Sequence, residues 1–217
     1  MSLAEQWSEG HKQHSAEKEL RIENALKCLK LVRPLVPFES VIDFGCGIGG
    51  WLCAAQRLGA HTILGIEGEY IRDADTIIPQ ESIVTQDLSS YSFDWKKKFD
   101  LAVTIEVAEH LPESSADVLC NNLVNASDFV VFSAARVGQT GLGHINEQPL
   151  GYWVKKFWTR GYIPLEVFRP YIAADKSIYP WLRMNLVMFV SYSSFLRSPK
   201  LLAYARPLSD FNHLYPG

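Results

Sequence analysis

VIDFGCGIGGWL, residues 41–52, is a short apolar run that meets an acid and then four glycines within six positions. It reads as a buried strand breaking into a tight loop. Gly45, Gly47, Gly49 and Gly50 permit positive φ and, lacking Cβ, allow a ligand close to the backbone. Trp51, Leu52, Ala54 and Ala55 then resume as a helix whose first N–H groups face the loop. A dinucleotide site would place G-x-G-x-x-G here, to seat a pyrophosphate on the helix N-terminus. The residues present are G-x-G-x-G, and Asp43 stands two positions before the first glycine. Its carboxylate repels an anion and attracts an ammonium group.

The 217 residues, 47% hydrophobic, suffice to bury one core, and a single domain over 1–217 is expected. It divides into an N-terminal helical cap (1–37), a core (38–195) and a C-terminal tail (196–217). A net charge of −3 lacks the basic excess of a general nucleic-acid binder, so nucleic acid is not an expected partner. Cys28, Cys46, Cys53 and Cys120 form no C-x-x-C pair and fit reduced thiols. The N-terminal residues are too polar for a signal peptide, and Met184 to Leu196 is too short and too interrupted to span a bilayer. A soluble cytoplasmic protein, monomeric or homodimeric and without membrane attachment, is the expectation.

The first 15 residues are polar, with Trp7, His11 and His14 standing out. From Ala16 to Val32, apolar residues at helical spacing predict an amphipathic helix, ended by Pro34 and Pro37. It either covers a pocket or packs on the sheet. His61 to Ile66 reads as a second strand with Glu67 at its carboxyl end, 24 residues after Asp43. In an open α/β sheet ligands bind outside those ends, where an acid can accept hydrogen bonds from both hydroxyls of a ribose; otherwise Glu67 is a solvated turn residue before Gly68. Tyr70 to Ala74 reads as a helix start and Ser82 to Thr85 as a third strand, followed by Asp87 and Leu88. Asp87 can accept from an adenine amine with Leu88 lying on the base, or can cap a turn at Ser89.

Phe99 to Ile105 is nearly all apolar, as a strand buried on both faces should be, and Glu106-Val-Ala-Glu109-His110-Leu-Pro follows. A helix over 112–124 and a fifth strand over 128–133 come next. Residues 134–148, AARVGQTGLGHINEQ, form a glycine-rich loop, a candidate lid or substrate loop. Pro149 opens a helix whose aromatic stripe, Tyr152, Trp153, Phe157 and Trp158, reads as core. Tyr162 to Phe168 and Asn185 to Val190 complete seven strands. Strands alternating with helices predict a parallel sheet covered on both faces. The tail carries Leu201, Leu202, Tyr204, Phe211 and Tyr215, enough apolar surface to dock on the body or on a second subunit.

The glycine loop resembles motif I of the class I S-adenosylmethionine-dependent methyltransferases, and E-V-A-E-H-L resembles the segment that follows their fourth strand. The pieces H-I-N-E-Q-P, Y-W-V-K-K-F and Y-P-W-L-R-M-N-L-V-M-F-V are similar to the bacterial Methyltransferase-23 group, linked with small-molecule and glycan modification. This resemblance implies a Rossmann-like, mostly parallel α/β sheet of order 3-2-1-4-5-7-6 with strand 7 antiparallel. It implies S-adenosyl-L-methionine as cofactor, bound by Asp43, Gly45, Cys46, Gly47, Gly49, Glu67, Gly68, Asp87, Leu88, Ile105 and Glu106. The expected reaction is O-methylation of a small molecule or sugar precursor; N-methylation and a cofactor-binding scaffold without turnover are the alternatives.

An oxygen nucleophile loses a proton, and His144 and His110 are the candidate bases. His110 directly follows a strand end and can equally brace the next helix. Glu106, Glu109, His110 and His144 together are similar to the E-x-x-E-H plus distant His metal site of terminal-ribose small-RNA methyltransferases and ubiquinone O-methyltransferases. Such a set can hold a divalent metal ion that acidifies a hydroxyl pair. In other relatives the same segment lines the cofactor pocket and braces the following helix.

Overall fold

The computed structural model describes residues 17–72, 74–208, 210 and 211. Trp7, His11, His14 and Tyr215 lie outside them. Seven strands form one sheet: β1 (Ser40–Phe44), β2 (Thr62–Glu67), β3 (Ile83–Thr85), β4 (Leu101–Ile105), β5 (Phe129–Ser133), β6 (Tyr162–Leu165) and β7 (Val187–Ser191). Their order is β3-β2-β1-β4-β5-β7-β6, and β7 runs antiparallel to both of its neighbours. The expected Rossmann-like topology is therefore present in full, strand 7 included.

Side chains alternate across each strand, so one strand feeds two cores. Val41, Val103, Val131 and Met188 point into one apolar cluster, and Ile42, Ala102, Val130 and Val187 into the other. The first is covered by α1 (Lys18–Val32) and α2 (Gly50–Arg57), which pack against each other. The second is covered by α3 (Ala116–Ala126) and α4 (Leu150–Trp158). In α4 the aromatic stripe is core where it faces the sheet: Phe157 stacks on Phe189 at 3.9 Å and Trp153 tilts on Phe132 at 5.2 Å. Trp158, on the other face, is exposed. Three short helices, α5 (Arg169–Ile172), α6 (Pro180–Asn185) and α7 (Tyr192–Arg197), flank β7 in sequence.

Several boundaries differ from the sequence expectation. Tyr70 lies in a single 3-10 turn, Glu69–Ile71. The helix expected from Pro112 begins as a 3-10 turn, Glu113–Ser115, before α3. Strand β6 ends at Leu165, short of Phe168, because the next amide, Glu166 N–H, donates to Tyr204 O of the tail. Leu165 itself bridges to Ala205, while Leu201 and Phe211 are fully buried, one in each core. The tail thus docks on the body of its own chain. Asn185, expected to open the seventh strand, instead ends α6. Among the described residues no helix is long and apolar enough to cross a membrane, and all four cysteines are free thiols.

Candidate functional site

At the carboxyl edge of the sheet, a cavity of about 1330 Å³ opens over β1, β2 and β4. Ordinary ligand pockets measure roughly 300–1,000 Å³, so this one has room for a nucleoside cofactor and an acceptor together. Its floor is the loop after β1. Gly45 N–H and Cys46 N–H both donate to Ile66 O, which turns the chain sharply off the sheet. Gly45 sits at φ +78°, and a Cβ there would run into the side chain of Val107. Gly49, at φ +92°, is likewise closed against Ile78. Two glycines are therefore fixed by sterics as well as by dihedral angle, and the loop is held open toward the cavity.

Glu67, at the end of β2, is buried and accepts hydrogen bonds from Gly47 N–H at 2.7 Å, Gly68 N–H at 2.8 Å and the Tyr70 hydroxyl. It braces the glycine loop as well as facing the cavity. A carboxylate has about four acceptor positions, so three donors leave it able to accept another. Burial raises the Glu67 pKa, and the three hydrogen bonds oppose that shift. Beneath the loop Asp43 is buried, and its Oδ1 has no hydrogen-bond partner among the described residues. Burial, with Glu67 nearby, pushes its carboxyl well above the ordinary value. A cation beside Asp43 would reverse that shift, because opposite charge favours the ionised form. An orphaned acid under a glycine cradle fits the ammonium end of S-adenosylmethionine.

Asp87 is placed differently from Glu67. Its carboxylate accepts from Ser89 N–H at 2.8 Å and from the hydroxyls of Ser89 and Ser90 at 2.9 and 3.1 Å. The Ser89 hydroxyl and amide hold its pKa below the ordinary value. Of the two sequence readings, the turn cap is the one this geometry displays, although Asp87 and the buried Leu88 also border the cavity.

Beyond β4 the chain makes an unusual exit. Glu106 has φ +54°, a left-handed conformation rarely adopted by side-chain-bearing residues. Its N–H donates to Ser133 O and Ser133 Oγ, both at 3.1 Å, which holds the strained backbone in place. Its carboxylate accepts from Asn185 Nδ2 at 3.2 and 3.3 Å, and the same Nδ2 donates to Gln139 Oε1 at 3.0 Å. Glu109, in the 3-10 turn Ala108–His110, is fully buried, and neither carboxylate oxygen has a geometrically sound hydrogen-bond partner among the described residues. Burial and then Glu106 raise its pKa well above the ordinary value.

The two histidines meet edge to face, with ring centroids 4.8 Å apart. His110 Nδ1 lies 3.2 Å from Gly143 O and His144 Nδ1 lies 2.8 Å from Glu147 Oε1. Both acceptors require a proton on Nδ1, which assigns the lone pair of each neutral ring to Nε2. Burial lowers the His110 pKa to about 4, so this ring is neutral at physiological pH. The His144 imidazole in turn holds the Glu147 carboxyl below its ordinary value. The loop over residues 134–148 is anchored at its far end: Ile145 and Asn146 N–H both donate to Glu109 O, at 2.9 and 3.0 Å. His144 thus stands beside a segment pinned to Glu109.

Every residue expected to touch the cofactor borders the cavity except Gly49, whose part is to shape the loop from below. Of the four residues grouped as metal ligands, Glu109, His110 and His144 each bring a ligand atom within 4.8 Å of the others. Glu106 is not in that group; its carboxylate is turned to Asn185. Glu147 and Asn185 did not emerge from the sequence as site residues. Glu147 had a weak signal, an acid three positions after a loop histidine, whereas Asn185 reaches Glu106 across 79 residues and had none.

This sheet order, with a glycine loop after β1 and acids at the ends of β2 and β4, is that of a methyltransferase. The family described as "Methyltransferase domain" (Methyltransf_23) matches residues 13–122, about half of the chain, and the chain belongs to that family. The ribosomal protein L11 methyltransferase of Lactobacillus gasseri is 27% identical over 152 residues, 61% of this chain, and the chain spans 47% of that relative's length. Among solved structures, the methyltransferase domain of bacterial CtHen1-CN aligns over 76% of this chain and 96% of its own, with TM-score 0.56 and 21% identity. The plantazolicin methyltransferase BpumL, in complex with a pentazolic desmethylPZN analog and SAH, aligns over 88% of this chain and 95% of its own, with TM-score 0.57 and 13% identity. Both similarities are of fold.

Proposed function

We propose that this protein transfers a methyl group from S-adenosylmethionine to a hydroxyl oxygen of a small molecule or sugar precursor in the cytoplasm. The observation that carries the choice of oxygen is His144 on the cavity wall with Glu147 2.8 Å from its Nδ1. A neutral amine attacks a methyl sulfonium without help, whereas a hydroxyl gains from a base held in one tautomer and orientation. The cofactor, when bound, supplies the electrophilic methyl group and its leaving group. Asp43, the glycine loop and Glu67 would hold and orient it. His144 would take the hydroxyl proton at Nε2, with Glu147 stabilising the imidazolium that results.

A second reading adds a divalent cation. The buried Glu109 carboxylate and two imidazoles whose Nδ1 atoms are already committed bring three ligand atoms within 4.8 Å of one another, with outer-shell support from Glu147 and Gly143. A cation there would acidify the acceptor hydroxyl directly.

Methyl-labelled cofactor incubated with the protein and an extract of metabolites and nucleotide sugars tests both readings. Label in an O-methyl product is expected. Label on nitrogen would overturn the oxygen assignment, and no label in any product would favour the scaffold alternative. A rate unchanged by added chelator would remove the cation.

A further inference from the structure

We propose that the acceptor is an uncharged phenol, its flat ring laid on Trp181 and its hydroxyl at His144; this rests on the oxygen reading above. Trp181 and Met184, one helical turn apart on α6, line the cavity together with Leu142 and Ile145 of the loop after β5, and all four side chains are exposed. Large apolar side chains left in water around a concavity mark a binding surface. The Trp181 ring is held in place: it stacks on Tyr179 at 4.5 Å between centroids, with 11° between the planes. Tyr179 is fastened to α1 at two points, its N–H donating to Asn24 Oδ1 at 2.7 Å and its hydroxyl to Glu17 Oε2 at 2.9 Å. At the other end of α6, Asn185 Nδ2 reaches both the Glu106 carboxylate and Gln139 Oε1. A platform ordered before its ligand arrives gives up less freedom on binding it.

Charge selects against an anionic acceptor. Seven carboxyl side chains line the cavity, whereas Arg21, ion-paired with Glu17 at 3.9 Å, is the one Lys or Arg on its lining among the described residues. That balance suits the cofactor's sulfonium and opposes a phosphorylated or nucleotide-linked sugar. Hydrogen-bonding capacity selects against an unmodified sugar. Within residues 139–145 and 179–184 the polar side chains on the lining are Gln139, Thr140, His144 and Tyr179. The Tyr179 hydroxyl is spent on Glu17, and Gln139 Oε1 accepts from Arg136 N–H at 2.6 Å and Asn185 Nδ2 at 3.0 Å. A sugar carries a hydroxyl on nearly every carbon, and each one buried without a partner costs affinity. A phenol brings one hydroxyl and a π-face that pairs with an indole. Its proton leaves near pH ~10, closer to the reach of an imidazole than that of water at about 15.7. In the reaction the phenol oxygen bonds to the methyl carbon as the carbon–sulfur bond breaks with its electron pair kept on sulfur, and the proton passes to His144 Nε2. The products are an aryl methyl ether, S-adenosylhomocysteine and an imidazolium.

Titration calorimetry of the S-adenosylhomocysteine complex with three probes tests this. 2-Naphthol is a flat uncharged phenol, 2-naphthyl phosphate carries the same ring with an anion in place of the hydroxyl, and methyl β-glucoside is an uncharged sugar. 2-Naphthol is expected to bind about tenfold or more tightly than either of the others. Trp181→Ala should weaken 2-naphthol binding by about fivefold or more, and Trp181→Phe should recover part of the loss. Affinity for S-adenosylhomocysteine should stay within about twofold in both variants, which also reports that they fold. No binding of 2-naphthol, or tighter binding of either other probe, would overturn the proposal. So would equal weakening of 2-naphthol and S-adenosylhomocysteine by Trp181→Ala, which would assign Trp181 to the cofactor or to packing. Labelled methyl from S-adenosylmethionine should appear as 2-methoxynaphthalene. Binding without that transfer would overturn the placement of the hydroxyl at His144, and the oxygen reading with it. Failure of the unmodified protein to bind S-adenosylhomocysteine would remove the cofactor reading first.

Discussion

Replacing His144 by alanine should lower turnover by about a hundredfold or more, the usual range for a positioned general base, while cofactor affinity stays within about twofold. Two features of the site separate these effects. His144 borders the cavity from the pinned end of the 134–148 loop, whereas the cofactor cradle is formed by the β1 loop and Glu67. Its Nδ1 is held by Glu147 at 2.8 Å, so the removed group is an oriented base. Alanine also takes the imidazole from the Glu147 carboxylate, which keeps Gly138 N–H at 2.8 Å, so a milder control is useful. Glu147→Gln keeps the hydrogen-bond length and removes the charge that steadies an imidazolium. A partial loss of turnover with unchanged cofactor binding is the expected result. Single-turnover methyl transfer and calorimetry with S-adenosylhomocysteine, run on the same preparations, measure the two quantities.

The second large effect falls on Glu67. Glu67→Ala is expected to weaken S-adenosylhomocysteine binding by about tenfold or more, since the one charge-assisted hydrogen bond Glu67 can still accept, ~1.5–3 kcal/mol, is lost. The same substitution strips Gly47 N–H and Gly68 N–H of their acceptor. A buried amide left unsatisfied costs about 1–3 kcal/mol, so the melting temperature of the free protein should fall as well. Glu67→Gln separates the two contributions. Its amide oxygen can still receive one loop N–H, so it should recover stability more than affinity. Affinity fully retained in Glu67→Ala would show that the carboxylate serves the loop alone. If His144→Ala and Glu67→Ala lost binding and turnover to the same degree, the division between cofactor holder and base would be wrong.

The sheet was legible because its signals are local. Each strand is a short apolar run, and Asp43, Glu67 and Glu106 mark the carboxyl ends of three of them. A strand end is also where an open α/β fold places ligands, so the same residues announced both fold and site. What stayed illegible were contacts whose partner is far away in sequence. The 134–148 loop contains three glycines, yet Glu109 O receives two of its amides. The sequence offered Asp87 to a base amine or to a turn, and the fold brings three donors from Ser89 and Ser90 to it at the cavity's edge. Asn185 was unreadable because it lies in an element whose periodicity reports packing, and it meets Glu106 through a contact that only the folded chain makes.

Glu106 is where local rules and the site conflict most openly. A glycine or asparagine would adopt φ +54° with less strain. The glutamate is kept there by Ser133 beneath it and Asn185 across from it, and its strained backbone turns the chain toward Glu109 and His110. Strain of this kind, roughly 1–3 kcal/mol, is sustained where surrounding contacts over-determine the conformation, and functional sites are where it collects.

The central claim is that the glycine loop holds an amino-acid-bearing nucleoside and not a dinucleotide. Titration calorimetry of the unmodified protein against S-adenosylhomocysteine and, separately, NAD tests it most directly. Saturable heat with S-adenosylhomocysteine and none with NAD is the predicted result; binding of NAD without binding of S-adenosylhomocysteine would contradict the account.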